Sequence, residues 1–178
     1  MEAEAAKNPG TMVASLGVPL ETMREICAKT GTDIANDNSE GQTVISGLKS
    51  RIDDAIQLIG NYKGKVRLLQ NINVPSHSSL MEPVSKRLLA LLQSISIEMP
   101  VVPLVSNVTA KYVLSVEELR SNLAKQVMAT VRWRESVIQM VDHGAEVFYE
   151  IGPGDILKGI IRKINPSVEV RNVNDLFK

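Results

Sequence analysis

The sequence predicts an α/β chain in two parts, a β-α-β-β-α-β unit over residues 11–71 and alternating strands and helices over residues 72–178. Three observations predict it. In the first part, short β-branched runs alternate with apolar residues at helical spacing, in the order of a split βαβ unit. In the second, longer apolar runs alternate with helices, as in a parallel sheet flanked by helices. A hydrophobic content of 44% over 178 residues is enough for a packed core.

Residues 1–10, MEAEAAKNPG, read as the end of a helix stopped by Asn8-Pro9-Gly10. TMVASLG (11–17) is strand-like, and Pro19 in a first helical turn opens a helix to about Lys29. TDIAND (32–37) and QTVISG (42–47) are short β-branched runs about the turn Asn38-Ser39-Glu40-Gly41. Ser50 to about Tyr62 places Ile52, Ala55, Ile56 and Ile59 on one helical face. Gly64 introduces the strand KVRLLQN, completing a ferredoxin-like arrangement.

In the second part, Val74-Pro75 ends a strand, because proline lacks the ladder donor. A helix over 79–93, capped by Ser78 or Ser79, carries Val84, Leu88, Leu89, Leu91 and Leu92. VVPLVSN (101–107) reads as a buried parallel strand, followed by a helix from about Val116 to Val127 with Glu117 and Glu118 in its first turn. Arg134 to His143 is a helix closed by Gly144. EVFYEIG (146–152) is a buried strand, Gly152-Pro153-Gly154 turns into a helix over 155–164, and VEVRNV (168–173) is a last strand. Three short parallel strands leave one edge and much apolar surface open. The chain is therefore expected either to dimerise or, the favoured reading, to lack strands that another segment supplies.

Composition excludes several function classes. Lysine plus arginine balance aspartate plus glutamate at 20 each, and aromatics are 3%, so neither phosphate attraction nor base stacking is supported and no nucleic acid is expected. No apolar run approaches a membrane span, and no membrane partner is expected. The single cysteine, Cys27, rules out an internal disulfide and a C-x-x-C zinc site, and fits a reducing, cytoplasmic setting. No metal is expected.

The residue that points to chemistry is His77, on a short rigid junction between an apolar run and a helix. A general base needs such a mounting, although a polar loop histidine fits the same position. Ser76, Ser78 and Ser79 lie beside it, but none sits in the G-x-S-x-G elbow that exposes a nucleophile. They read as caps and loop residues, and a hydrolase using Ser76 or Ser78 is disfavoured. Asn36 and Asn38, with Gln42 nearby, suit turn chemistry, or alternatively aim amides at an acyl oxygen. Gly152-Pro153-Gly154 before a helix reads as a tight packing turn more than a phosphate cradle. Lys158, Arg162 and Lys163 complement the C-terminal end of their helix, or meet an acidic partner. Cys27 reads as a small core residue.

GTMVASLG, ANDNSEGQTVISG, VPSHSSLMEP, VPLVSN, Q-x-x-x-x-VRW and FYEIGPGDILKGIIRKI occur in this order and at suitable spacings. Together they resemble the C-terminal part of the bacterial malonyl-CoA:acyl carrier protein transacylases, with polyketide-synthase acyltransferase domains as the near alternative. The resemblance implies a ferredoxin-like subdomain (11–71) followed by the C-terminal part of an α/β-hydrolase-like parallel-sheet subdomain (72–178), after the end of a helix (1–10). It implies transfer of malonyl from coenzyme A to the phosphopantetheine thiol of acyl carrier protein through a serine ester, in fatty acid biosynthesis. Malonyl-CoA is then a substrate, and no cofactor is needed.

By that resemblance His77 is the catalytic histidine and Gln126 supplies the backbone carbonyl that orients it. Asn36 and Gln42 line the cleft, Ser76 suits a malonyl unit, and Met1 lines the acyl pocket. The departures are as informative. The chain has no G-H-S-L-G elbow and no G-Q-G-S-Q-type string, and Glu40 and Thr130 stand where the family usually has proline. The expectation is a chain inactive alone, whose partner is the missing N-terminal half of the enzyme. The other reading is a non-catalytic module that binds the carrier protein.

Overall fold

The computed structural model describes residues 1–69 and 72–174. Its first part is an antiparallel sheet of β1 (Gly10–Leu16), β2 (Asp33–Ser39), β3 (Gln42–Leu48) and β4 (Lys65–Leu68) in the order β2-β3-β1-β4. Helices α2 (Leu20–Thr30) and α3 (Lys49–Asn61) make the two crossovers, and α1 (Glu2–Ala5) precedes β1. The expected ferredoxin-like arrangement is therefore present. Its register runs from Gly10↔Leu48 to Leu16↔Gln42 between β1 and β3, and from Val13↔Leu68 to Leu16↔Lys65 between β1 and β4. Of the expected strand KVRLLQN, Gln70 and Asn71 lie outside the described residues.

Helical periodicity fixes which faces meet. Ile52, Ala55 and Ile59 of α3 and Met23, Ile26 and Cys27 of α2 are buried against Val13 and Ile45 of the sheet. Truncating any large member, Ile45→Ala for instance, is expected to cost about 2–5 kcal/mol through lost burial and a residual cavity. The opposite face buries Met12, Ala35 and Val44, joined by Ala14, Leu69 and Ile72. Gly10 sits where β1 meets both β3 and the loop at Pro75, and a Cβ there would lie 2.6 Å from the Gly47 carbonyl oxygen and 2.6 Å from Pro75 Cβ.

The β2–β3 turn is tighter than the sequence reading had it. Asn38 and Ser39 belong to β2, leaving Glu40-Gly41 as the turn, with Gly41 at φ 65°. Irregularities between Ile34 and Asn36 and between Asp37 and Ser39 absorb the extra residues as bulges in this edge strand.

After β4 the chain forms a 3₁₀ turn (Ser79–Met81), α4 (Glu82–Gln93), α5 (Val116–Lys125), α6 (Trp133–Asp142), β5 (Val147–Glu150), α7 (Ile156–Ile164) and β6 (Glu169–Asn172). The pair β5–β6 is parallel, from Val147↔Glu169 to Glu150↔Asn172. A second core of Val137, Ile161 and Val170 joins α6, α7 and β6. Ser115 caps α5 by accepting from Glu118 N–H at 3.1 Å, while the Glu118 carboxylate accepts from Leu114 N–H at 3.0 Å.

Two expected strands come out differently. VVPLVSN forms no strand: Val105 makes an isolated antiparallel bridge to Tyr112, and Val101 and Val102 are open to solvent. Pro103 removes one ladder donor, and no described strand lies beside the run to pair with it. EVFYEIG does form β5, but Val147, Tyr149 and Ile151 are exposed rather than buried, because only β6 flanks it. Leu91 and Ile95 at the end of α4 and Leu114 before α5 are exposed as well. The expected open apolar surface is thus present among the described residues.

Candidate active site

His77 occupies a constrained turn. Ser76 N–H donates to the Val74 carbonyl at 2.8 Å, and Ser78 Oγ, fully buried, donates to the Pro75 carbonyl at 2.6 Å. These closures force His77 to φ 57°, a left-handed conformation uncommon for a residue with a side chain. Strain of this kind costs on the order of 1–3 kcal/mol and is kept where surrounding contacts over-determine it. Ser78 stands at the N-cap position of the 3₁₀ turn, as one of the two expected caps, but neither serine makes a side-chain cap bond. Ser78 is committed to Pro75, while Ser79 N–H and Oγ–H both donate to Asp33 Oδ2 at 2.9 Å.

The segment after α5 holds the histidine. His77 N–H donates to the Val127 carbonyl at 2.9 Å, and Nδ1 lies 3.0 Å from the Ala129 carbonyl oxygen. A carbonyl only accepts, so this contact assigns the neutral ring the Nδ1–H tautomer and leaves the Nε2 lone pair available. Nε2 has no hydrogen bond to any described residue, and the ring is half-buried. The resemblance implies the Gln126 carbonyl as the orienting group; in this structure the carbonyl at the ring is that of Ala129. Gln126 ends α5 and donates its N–H to Asn122, so the chain must run three residues further before a carbonyl reaches the ring. No side-chain signal marks a backbone oxygen, which is why sequence reading missed it.

The same segment runs along the outer edge of β2. Val131 N–H donates to the Ala35 carbonyl at 2.8 Å and Asp37 N–H to the Val131 carbonyl at 2.9 Å, making a parallel bridge beside Asn36. Asn36 is thus brought to the segment that holds His77, and Ser76 is its half-buried neighbour in sequence. Gln42 is turned to α7, its Oε1 accepting from Lys163 Nζ at 3.1 Å. Met1 stands apart at the head of α1, 47% exposed.

Charged groups reinforce this junction. Arg134 Nε donates to Asp37 Oδ2 at 3.2 Å, and Asp37 Oδ1 is buried without a partner. Burial outweighs the guanidinium beside it and holds the Asp37 carboxyl above the usual carboxylate range. Arg132 forks onto Glu135, a hydrogen bond that lowers the Glu135 carboxyl. A groove of ≈ 380 Å³ between α2 and this segment is lined by Arg24, Cys27, Asp33, Asp37, Thr130 and Arg132. Cys27 is buried there, and desolvation pushes its thiol up to about 11, as fits a core residue rather than a nucleophile.

The Gly152-Pro153-Gly154 turn is not packed as expected, with nothing within 4 Å of a Cβ at either glycine, and is tied instead by Asn172 Nδ2 donating to the Gly154 carbonyl. Leu157 and Lys158 N–H at the start of α7 donate to the Glu150 carboxylate at 3.0 and 2.9 Å, so an internal anion already fills the helix terminus. Lys158 lies in that first turn, beside Asp155 at 3.5 Å, and only Arg162 and Lys163 sit in the last turn as expected. Among the described residues no cluster of histidine, cysteine, aspartate or glutamate is placed to hold a metal. No described helix is long and apolar enough to cross a membrane.

Known proteins resemble this chain in sequence and fold. A relative from Haemophilus influenzae, malonyl CoA-acyl carrier protein transacylase, is 33% identical over 99% of this chain and 58% of its own length. The crystal structure of malonyl-CoA:acyl carrier protein transacylase from Xanthomonas oryzae superposes with a TM-score of 0.92 at 32% identity, over 97% of this chain and 56% of the other. A malonyl-transacylase solved in complex with a type II polyketide acyl-carrier protein superposes with a TM-score of 0.91 at 30% identity, over 97% and 58%. The chain thus spans a little over half the length of these relatives. The family model for the acyl transferase domain matches residues 1–174, and the chain belongs to that family.

Proposed function

We propose that this chain supplies the histidine half of a malonyl-CoA:acyl carrier protein transacylase site, whose serine nucleophile lies outside these 178 residues. The observation that carries the reading is His77 itself: strained to φ 57°, tied through Nδ1 to a carbonyl, and with Nε2 unbonded to any described residue. A histidine so held accepts a proton at one defined atom.

In the first half-reaction Nε2 takes the serine hydroxyl proton as the oxygen attacks the malonyl thioester carbon. The tetrahedral intermediate collapses, the carbon–sulfur bond breaks, and the imidazolium returns its proton to the coenzyme A thiolate. In the second, Nε2 deprotonates the carrier's phosphopantetheine thiol, which attacks the serine ester, and the proton then returns to the serine oxygen. Ala129 keeps the ring in register throughout. Ser76, Asn36, Gln42 and Met1 are the substrate-binding candidates, with Ser76 and Asn36 near the histidine's own segment. Acyl carrier protein and malonyl-CoA are the proposed partner and substrate, in fatty acid biosynthesis and in the cytoplasm. The relatives' names and the lone buried cysteine support those assignments.

The test is malonyl transfer from coenzyme A to purified carrier protein, with this chain alone and with an added acyltransferase segment carrying a G-H-S-L-G-type serine. The proposal expects no turnover alone and turnover on addition. Turnover by the chain alone that survives His77→Ala overturns it. Carrier binding that is salt-sensitive, with no turnover under either condition, would favour a non-catalytic carrier-binding module instead.

A further inference from the structure

The contacts that orient His77 converge on one strand edge. Thr130 Oγ donates to the Ile34 carbonyl at 2.7 Å, and the next residue continues the attachment through the Val131–Ala35 and Asp37–Val131 bonds. Thr130 immediately follows Ala129, whose carbonyl meets the ring. On the other side of the histidine, Asp33 Oδ2 receives both the N–H and the hydroxyl of Ser79, two residues after His77. Asp33 and Ile34 are consecutive residues of β2, paired with Ser46 and Ile45 just ahead of the first irregularity in the ladder.

We propose that Thr130 and Asp33 are positioning residues for His77. From adjacent sites on β2, the threonine fixes the segment bearing the Ala129 carbonyl and the aspartate fixes the turn carrying the ring. Nδ1 then keeps its acceptor and Nε2 stays free. The functional meaning of this role rests on the general-base reading above, whereas the geometry does not. Neither residue touches the reacting atoms. A hydroxyl at position 130 provides a bond that a side chain without a donor there would not, and β2 becomes the common rigid element against which histidine and carbonyl are both set.

The two histidines of the chain, His77 and His143, make the orientation measurable. Nitrogen-15 chemical shifts of labelled histidine in the full 178-residue chain, at a pH where both rings are neutral, report the tautomer of each, with His143→Gln assigning the signals. The parent is expected to hold His77 as Nδ1–H. Thr130→Val keeps the shape and removes the donor, and is expected to lower the Nδ1–H to Nε2–H ratio by about tenfold, while Thr130→Ser keeps it within about twofold. Asp33→Ala, at a more exposed contact, is expected to lower the ratio by roughly threefold or more. Ratios within about twofold of the parent in both Thr130→Val and Asp33→Ala overturn the proposal, even if melting temperature falls, because a merely structural role predicts that outcome. Should Thr130→Val not fold, Asp33→Ala decides by the same criterion. The two readings fail separately: acyl transfer that survives His77→Ala removes the general base, whereas an unmoved tautomer ratio removes the positioning.

Discussion

Replacing Arg134 by methionine tests how the small sheet is joined to the histidine's segment. Asp37 has a side chain only 4% exposed, and Arg134, 34% exposed, is its one side-chain hydrogen-bond partner among the described residues. Methionine conserves the stem but strands a buried carboxylate whose Oδ1 already lacks a partner. Breaking a buried pair from one side costs about 3–5 kcal/mol. The lower end applies, because Arg134 is itself a third exposed and the pair borders a groove of ≈ 370 Å³. A loss of about 3 kcal/mol is a factor of more than a hundred in the folding equilibrium.

The pH dependence follows from the direction of the shift. Asp37 is held above the usual carboxylate range, so the native state binds this proton more tightly than the unfolded chain. Its contribution favours folding fully below the ordinary carboxylate pKa and is lost as pH rises through the folded value. Without the guanidinium the folded pKa rises further, so the cost of Arg134→Met should be smaller at about pH 5 than at about pH 7.5. Asp37→Asn removes the titrating group and is expected to stay within about 1 kcal/mol of the parent at neutral pH, because its amide oxygen can still accept from Arg134. Urea unfolding followed by Trp133, the one tryptophan, measures all three proteins at both pH values. A cost for Arg134→Met under about 1 kcal/mol, or one equal at the two pH values, refutes the reasoning.

Other perturbations read different parts of the fold. Ser115→Ala should cost about 1 kcal/mol in the same unfolding assay, through loss of the Glu118 N–H acceptor that starts α5. Gly10→Ala should cost about 3 kcal/mol, since its methyl meets the Gly47 carbonyl and Pro75 at 2.6 Å, whereas Gly60→Ala, with nothing within 4 Å in α3, should stabilise by about 0.5–1 kcal/mol. Cys27 should resist alkylation in the native chain at pH 8 and react rapidly only when urea exposes it, because it is buried and its thiol is pushed up to about 11. Prompt labelling of the folded chain would contradict that placement.

The ferredoxin-like part was legible because its partners are local. Each strand over residues 10–68 pairs within that stretch, and its helices carry their own apolar stripe, so periodicity alone recovers the order. Residues 72–174 were less legible because burial depends on what lies opposite. The apolar run at 101–107 signals a strand only when another strand flanks it, and β5 is buried only when covered on both faces. His77 stood out as a histidine at a rigid junction, but its partner is a backbone carbonyl, invisible to residue identity. The Asp37–Arg134 pair joins residues 97 apart, beyond any spacing rule.

The central claim is that His77 moves the proton of an acyl-transfer reaction. It is tested most directly by a single-turnover measurement of coenzyme A release from malonyl-CoA, with this chain and a serine-bearing acyltransferase segment together. Replacing His77 by alanine should slow release by about 10³-fold or more, leaving the background that binding and oxyanion contacts alone sustain. Release at an unchanged rate from the His77→Ala protein would contradict the account.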